Sequence, residues 1–269
     1  MRFDDVRGFV FDVDGTLVHR AGDEMHVVPQ AHAVLDRIRE SGRPFALFTN
    51  GSHVPPSTFA RELREAGLPV EDGQVLTPLC SVQGYLKRFR RDASVLPFLT
   101  RPAREYLEAA GVRLVEGRDG ETPDAVFVAH PDQADFDQLE CAARAVIAGA
   151  RLLTASYVAA YAGANGPILS RGAMITAAIA KASGRHPTVV GKPSRAAVRE
   201  IATRLDVPSS QVAVIGDDLF LDVALGHLGG SLTVLVRSGI SASIDLDRVP
   251  ESRRPHIAIG GVAELLDRL

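Results

Sequence analysis

Apolar runs of four or five residues recur along this chain, and several stop abruptly at a polar or glycine-containing cluster. Phe9, Val10, Phe11 and Val13 lead into Asp12, Asp14 and Gly15. Pro44 to Phe48 leads into Thr49-Asn50-Gly51-Ser52, and Val212 to Ile215 into Gly216-Asp217-Asp218. Continuous rather than alternating hydrophobicity marks strands covered on both faces, as in a parallel sheet. Between the runs, apolar residues fall three and four apart: Val34, Leu35 and Ile38 before Gly42, Phe59, Leu63 and Ala66 before Gly67, and Val198, Ile201 and Leu205 after Ser194. That spacing predicts amphipathic helices, with the glycines as C-terminal stops. Strand alternating with helix predicts an α/β fold built on a doubly wound parallel sheet with right-handed crossovers.

The middle of the chain repeats the rhythm on its own account. Val95 to Leu99 reads as a strand, followed by a helix with Ala103, Leu107 and Ala110 on one side and a strand from Ala125 to Ala129. A helix then presents Phe136, Leu139, Ala143, Val146 and Ile147 on one face; Leu152 to Thr154 is a strand and Gly172 to Ser183 an alanine-rich helix. This is enough for an inserted α/β domain, expected over residues 90–186 between core segments 1–89 and 187–269. From Thr188 the first rhythm resumes: a strand to Val190, a helix, Val212 to Ile215, a helix around Asp222 to His227, Leu232 to Val236, Ile257 to Ile259, and a terminal helix with Val262, Leu265 and Leu266.

Composition narrows the classes. With 269 residues, 46% of them hydrophobic, the chain has material for sizeable cores. A formal charge of −3 offers no general field for nucleic acid or an anionic membrane, and neither partner is expected. The one dense basic run, Lys87, Arg88, Arg90 and Arg91, reads as the solvated end of a helix. Cys80 and Cys141 stand far apart and suggest neither a disulfide framework nor a zinc site. No apolar stretch has the length of a signal core or a bilayer span, so the expected location is the cytoplasm.

The strand ends carry the candidate chemistry. In Asp12-Val13-Asp14 the side chains would point apart while the strand lasts, but Gly15 allows an immediate turn that brings both carboxylates to one site. One acid could attack and the other move protons. If the flanking segments form one sheet, then Asp12, Asp14, Thr49, Asn50, Lys192 of Gly191-Lys192-Pro193-Ser194, and Asp217 all meet at C-terminal strand ends, where doubly wound folds keep their sites. Three carboxylates invite Mg²⁺, a hard cation that prefers oxygen ligands. Thr49, the Asn50 and Gly51 amides and Lys192 would hold phosphoryl oxygens. The set is complete for phosphoryl transfer through an aspartyl-phosphate.

In these motifs the chain resembles the haloacid dehalogenase superfamily of hydrolases, in its phosphatase branch. Phe9 to Leu17 is similar to the first motif, Thr49 with Asn50 to the second, Lys192 to the third, and Gly216-Asp217 with Asp222 to the fourth. The resemblance implies Asp12 as nucleophile, Asp14 as acid and base, and a Mg²⁺ held by the Asp12 and Asp217 side chains and the Asp14 carbonyl, with Asp222 acting through water. The insertion, together with Ala148-Gly149-Ala150-Arg151, is similar to the subgroup with a large α/β cap, the NagD-like or 4-nitrophenylphosphatase-like enzymes, whose members often pair through the cap. That makes a homodimer an expectation. The chain departs from the pattern at Thr154-Ala155-Ser156-Tyr157 and at Phe220. His130 and Tyr157, with Asp132 and Asn165, are the cap residues read as candidates for touching a small phosphorylated metabolite. The competing readings are a phospho-accepting signalling module, a binding protein on the same fold, and another phosphotransfer activity of the superfamily.

Overall fold

The computed structural model describes residues 3–21, 24–117, 122–161 and 168–269. Its strands and helices alternate from the start. Strand β1 (Gly8–Phe11) is buried throughout, and a hairpin of β2 (Val18–Ala21) and β3 (Glu24–Val27) follows it directly. Helix α1 (Ala31–Glu40) buries Ala31, Val34, Leu35 and Ile38. Then come β4 (Phe45–Phe48), α2 (Pro56–Glu65), β5 (Val75–Leu76) and α3 (Pro78–Phe89), the last started by the Thr77 hydroxyl accepting from the Leu79 amide.

The second set is β6 (Ser94–Phe98), α4 (Arg101–Ala109), β7 (Arg113–Leu114), β8 (Ala125–Val128), α5 (Phe136–Ile147), β9 (Arg151–Thr154), the short hairpin β10 (Ala160–Tyr161) and β11 (Ile168–Leu169), α6 (Arg171–Ser183) and β12 (Thr188–Val189). The chain closes with α7 (Arg195–Leu205), β13 (Val212–Gly216), a π turn over Leu219–Val223 that continues into α8 (Ala224–Gly229), β14 (Leu232–Val236) and β15 (Ile257–Ile259).

Two parallel sheets result. One has six strands in the order β15-β14-β13-β1-β4-β5, and the other five in the order β12-β9-β8-β6-β7. β1 is central in the first, pairing with β13 (Phe11 opposite Ile215) and with β4 (Phe11 opposite Leu47). Phe9, Phe11, Val34, Leu35, Ile38 and Leu63 form the core on one face of this sheet; Val10, Phe48, Ile201 and Leu225 form it on the other. Helix α3 lies between the sheets: Leu79, Val82 and Leu86 pack with Val95, Phe127 and Leu153 of the second sheet, while Cys80 packs with Val10 and Phe48 of the first. Among the described residues, no helix is long and apolar enough to cross a membrane.

Three expectations change, and one element is new. Thr188–Val189 pairs with β9, so it closes the second sheet instead of reopening the first, and that sheet runs past the expected boundary at residue 186. Phe136 and Ile147 are 88% and 58% exposed; the buried face of α5 is made by Ala142, Ala143, Ala145 and Val146. The terminal helix is a 3-10 turn over Val262–Leu265. The β2–β3 hairpin was not read at all, because its strands mix His19, Arg20, Glu24 and His26 with few apolar positions.

Candidate active site

Three of the four motifs leave the same sheet at adjacent strand ends. The ladder between β1 and β13 extends to the Asp12 amide, which donates to the Ile215 carbonyl at 2.8 Å. This seats Asp12 beside the turn that carries Asp217. Next door, the amide of Thr49 donates to the Leu76 carbonyl, carrying β4 one residue past its assigned end. Lys192 arrives differently: it follows β12 of the second sheet, so the third motif reaches the six-stranded sheet from outside it.

The side chains of Asp12, Asp217 and Asp222 each offer an oxygen within 4.8 Å of the others. Lys192, 3% exposed, ties two of them together, its ammonium donating to Asp12 Oδ1 at 2.5 Å and to Asp222 Oδ1 at 2.7 Å. Thr16, fully buried, points its hydroxyl at Asp12 Oδ2 from 3.4 Å. The second oxygen of Asp222 accepts from the Asp218 amide, and Asp218 itself caps the π turn by accepting from the Phe220 and Leu221 amides. Asp218 is therefore occupied as a helix cap.

Burial dominates the electrostatics. It pushes Asp12 up to about 7, against the pull of Lys192 and with help from Asp222. It pushes Asp217 up to about 7, with Asp12 adding to the rise, and Asp222 up to about 6, again against Lys192. For Lys192 burial works to lower the proton affinity, but the two carboxylates outweigh it and hold the ammonium above its ordinary value. With all three carboxylates ionised against one ammonium, the buried space would hold an excess of two negative charges, which is why their proton affinities rise. Hard oxygen donors carrying that excess fit a small divalent cation. Asp12, Asp217 and Asp222 are the side chains that would hold it.

Asp14 is elsewhere. Its carboxylate, 48% exposed, accepts from Arg20 Nε of the β2 strand at 2.7 Å, and the same guanidinium stands 4.0 Å from Glu62. The three grouped side chains thus include Asp222 and not the Asp14 carboxylate. Asp222, expected to act through water, stands here with Asp12 and Asp217, while the expectation for Asp14 concerns its backbone carbonyl, which this grouping of side chains leaves untouched.

The Thr49-Asn50-Gly51 turn is already engaged. The Gly51 amide donates to Thr49 Oγ1 at 3.1 Å. The Asn50 side chain is a two-way clamp on the Lys192 backbone, accepting from its amide at 2.7 Å and donating to its carbonyl at 2.9 Å. Asn50 therefore contributes by seating Lys192. Gly191 is required here, since a Cβ would run into the Ala155 carbonyl and the Asn50 side chain.

His130, at the end of β8, stands with its ring centroid 5.7 Å from that of His53, which lies in the loop after β4 and packs edge-on against Phe59. Burial, and next the His130 imidazole, hold His53 below the usual imidazole range. The core and the second sheet thus meet through two histidines, and Thr100 Oγ1 donates to the His53 carbonyl across the same junction. Tyr157 is 45% exposed on the loop after β9, and among the described residues no hydrogen bond joins it to the carboxylates. Asp132 gives its carbonyl to Arg171, and Asn165 lies outside the described residues. Thr16, Arg20 and His53 were not singled out from sequence. Thr16 alone had a signal, being two residues after Asp14 in the same motif.

Comparison with known proteins places these features. Residues 9–113 match the family model described as haloacid dehalogenase-like hydrolase, and residues 189–265 match a second model of the same kind. Over 265 residues the chain is 29% identical to the ribonucleotide monophosphatase NagD of Escherichia coli, covering 97% of this chain and 98% of that one. It is 26% identical to a dihydroxyacetone phosphatase of Corynebacterium glutamicum, covering 96% and 90%. The crystal structure of a 4-nitrophenylphosphatase from Thermotoga maritima superposes with a TM-score of 0.87 at 25% identity over 98% of both chains. With the motif residues gathered at one site and the segments that carry them matched, the chain belongs to the haloacid dehalogenase-like hydrolases, in the NagD- and 4-nitrophenylphosphatase-like group.

Proposed function

We propose that this protein hydrolyses small phosphate monoesters, with Asp12 as the nucleophile, through an aspartyl-phosphate. The observation that carries the reading is the Asp12 carboxylate, bonded to a buried Lys192 and grouped with Asp217 and Asp222 at the ends of β1 and β13. Burial leaves the Asp12 carboxylate at about 7 even with Lys192 pulling it down, so Lys192 aims it and a cation bound beside it would keep it charged for attack. Mg²⁺, when bound by these carboxylates, supplies charge neutralisation for the phosphoryl oxygens.

The chain's own residues divide the remaining work. An Asp12 oxygen attacks phosphorus as the ester oxygen leaves in line. Lys192 neutralises charge on the transferring group, and Thr49, 6% exposed, presents its hydroxyl to a phosphoryl oxygen. Asp14 protonates the departing alkoxide and later takes a proton from the water that hydrolyses the acyl phosphate, with Arg20 holding its carboxylate at the rim in the meantime. The second sheet and its loops cover this space as a cap, keeping water out and selecting the leaving group, with His130 and Tyr157 as the cap residues offered to it. Support for the ester class comes from the relatives' names: one acts on ribonucleotides, one on dihydroxyacetone phosphate.

A panel of phosphorylated metabolites, assayed for released phosphate with Mg²⁺ and again with excess chelator, tests the reading. Turnover of sugar, glycerol, glycolate or nucleoside monophosphates that vanishes with chelator and returns with Mg²⁺ is expected. Full activity in chelator would refute the metal role, and no hydrolysis of any monoester would refute the reaction.

A further inference from the structure

The loop that follows β14, Ser238–Ser241, has no part in the four motifs, yet it grips two of them. The Ile240 amide donates to Asp217 Oδ2 at 2.7 Å, and the Ser241 amide donates to the Asp217 carbonyl at 3.1 Å. Ser241, with no exposed surface, accepts the Leu219 amide on its hydroxyl at 3.0 Å. Ser238 reaches the other way and donates to the Gly15 carbonyl at 2.9 Å. Arg237 braces the loop by donating to the Ala242 and Ile244 carbonyls.

Two glycines then close on the same carboxylate. A Cβ at Gly239 or at Gly15 would run into the carboxylate of Asp217. Gly15 also has φ of +86°, so its glycine has a backbone reason as well. Gly239 has no positive φ, and any residue could adopt its backbone. The three atoms nearest to where its Cβ would stand all belong to Asp217. With one carboxylate oxygen bound to Ile240 and the space behind it closed, the Asp217 group has one direction left, toward Asp12 and Asp222.

We propose that Gly239, in the Ser238–Ser241 loop, is a positioning residue for Asp217 and through it sets the affinity of the carboxylate cluster for a divalent cation. The inference rests on the metal reading given above. A methyl group at residue 239 would meet the Asp217 carboxylate first and Asp217 Cβ, at 2.8 Å, behind it, so the loop must give slightly and the carboxylate, as the movable group, must turn. Turning it breaks the Ile240 bond and spoils the three-oxygen arrangement. Partners that orient metal ligands from behind typically change affinity about 10–100-fold when altered.

The test is Mg²⁺ titration of thermal unfolding in Gly239→Ala, since a ligand that binds only the folded chain raises the midpoint according to its dissociation constant. Gly239→Ala should need about tenfold more Mg²⁺ or worse for the same shift. Metal-free unfolding of Gly239→Ala is then compared in the wild-type and Asp217→Ala backgrounds. The methyl should lower the midpoint clearly more in the first than in the second, where the carboxylate is gone and only the Cβ of residue 217 remains in its way. An unchanged Mg²⁺ dependence in Gly239→Ala, or an equal loss in both backgrounds, overturns the proposal. Should Gly239→Ala fail to fold, recovery of folding in the Asp217→Ala background supports it and continued failure overturns it. A wild type indifferent to Mg²⁺ would instead remove the metal reading itself.

Discussion

Lys192→Met keeps the length of the side chain and removes its charge, and the consequence is calculable from the site. Lys192 and Asp222 are each 3% exposed and Asp12 is 12% exposed at the side chain, so water cannot take over the neutralisation. Removing one member of such a buried pair costs about 3–5 kcal/mol. For a chain of this length the unfolding entropy makes that roughly 2 °C per kcal/mol, or a midpoint lower by about 6–10 °C. The loss depends on pH. The folded carboxylates already sit above their unfolded values, Asp12 at about 7 and Asp222 at about 6, so the folded state takes up protons before the unfolded state as pH falls. Stability from these groups therefore rises as pH drops from about 7 toward 4, and more steeply once Lys192 is gone. Thermal unfolding in chelator should show the full deficit at pH 8 and a clearly smaller one at pH 5. A variant as stable as wild type at pH 8, or a deficit that ignores pH, would refute the argument.

The remaining expectations concern the rim. Asp14→Asn should slow esters of alkyl alcohols far more than nitrophenyl phosphate, whose leaving group needs little protonation; equal losses in kcat for both would argue against Asp14 as the acid. His53 resists protonation in the folded state, so the unfolded chain binds that proton first and stability falls as pH drops below about 6.5. His53→Phe should flatten the acid limb of a melting-temperature profile, and an unchanged limb would contradict the assignment. Altering His130 or Tyr157 should reorder a substrate panel while sparing a small ester; a uniform loss across the panel would deny them a role in selection.

Much of the site was legible because its motifs are local. Asp12, Asp14, Thr49, Lys192 and Asp217 each end or follow an apolar run, and strand ends can be read from a handful of residues. What escaped depends on distant pairing. The two residues of β12 carry no pattern that says which sheet they join, and their place is decided by β9. The buried face of α5 is three alanines and Val146, so the larger but exposed Phe136 and Ile147 point the sequence pattern to the wrong edge of the helix. The Asn50 clamp on Lys192 spans 142 residues, and only the fold shows that the Asn50 side-chain carboxamide holds that backbone. The engagement of Asp14 by Arg20 lies just six residues away, but it needs the unread hairpin to form.

The central claim is that Asp12 carries the phosphoryl group, and trapping the covalent enzyme tests it most directly. Wild type mixed with a good substrate and quenched in acid within a turnover should yield a peptide containing Asp12 that is heavier by one phosphoryl group and loses it to hydroxylamine. Asp12→Asn should fold, turn over nothing and give no such peptide. A phosphoryl group found on another residue, or Asp12→Asn turning over at the wild-type rate, would contradict the account.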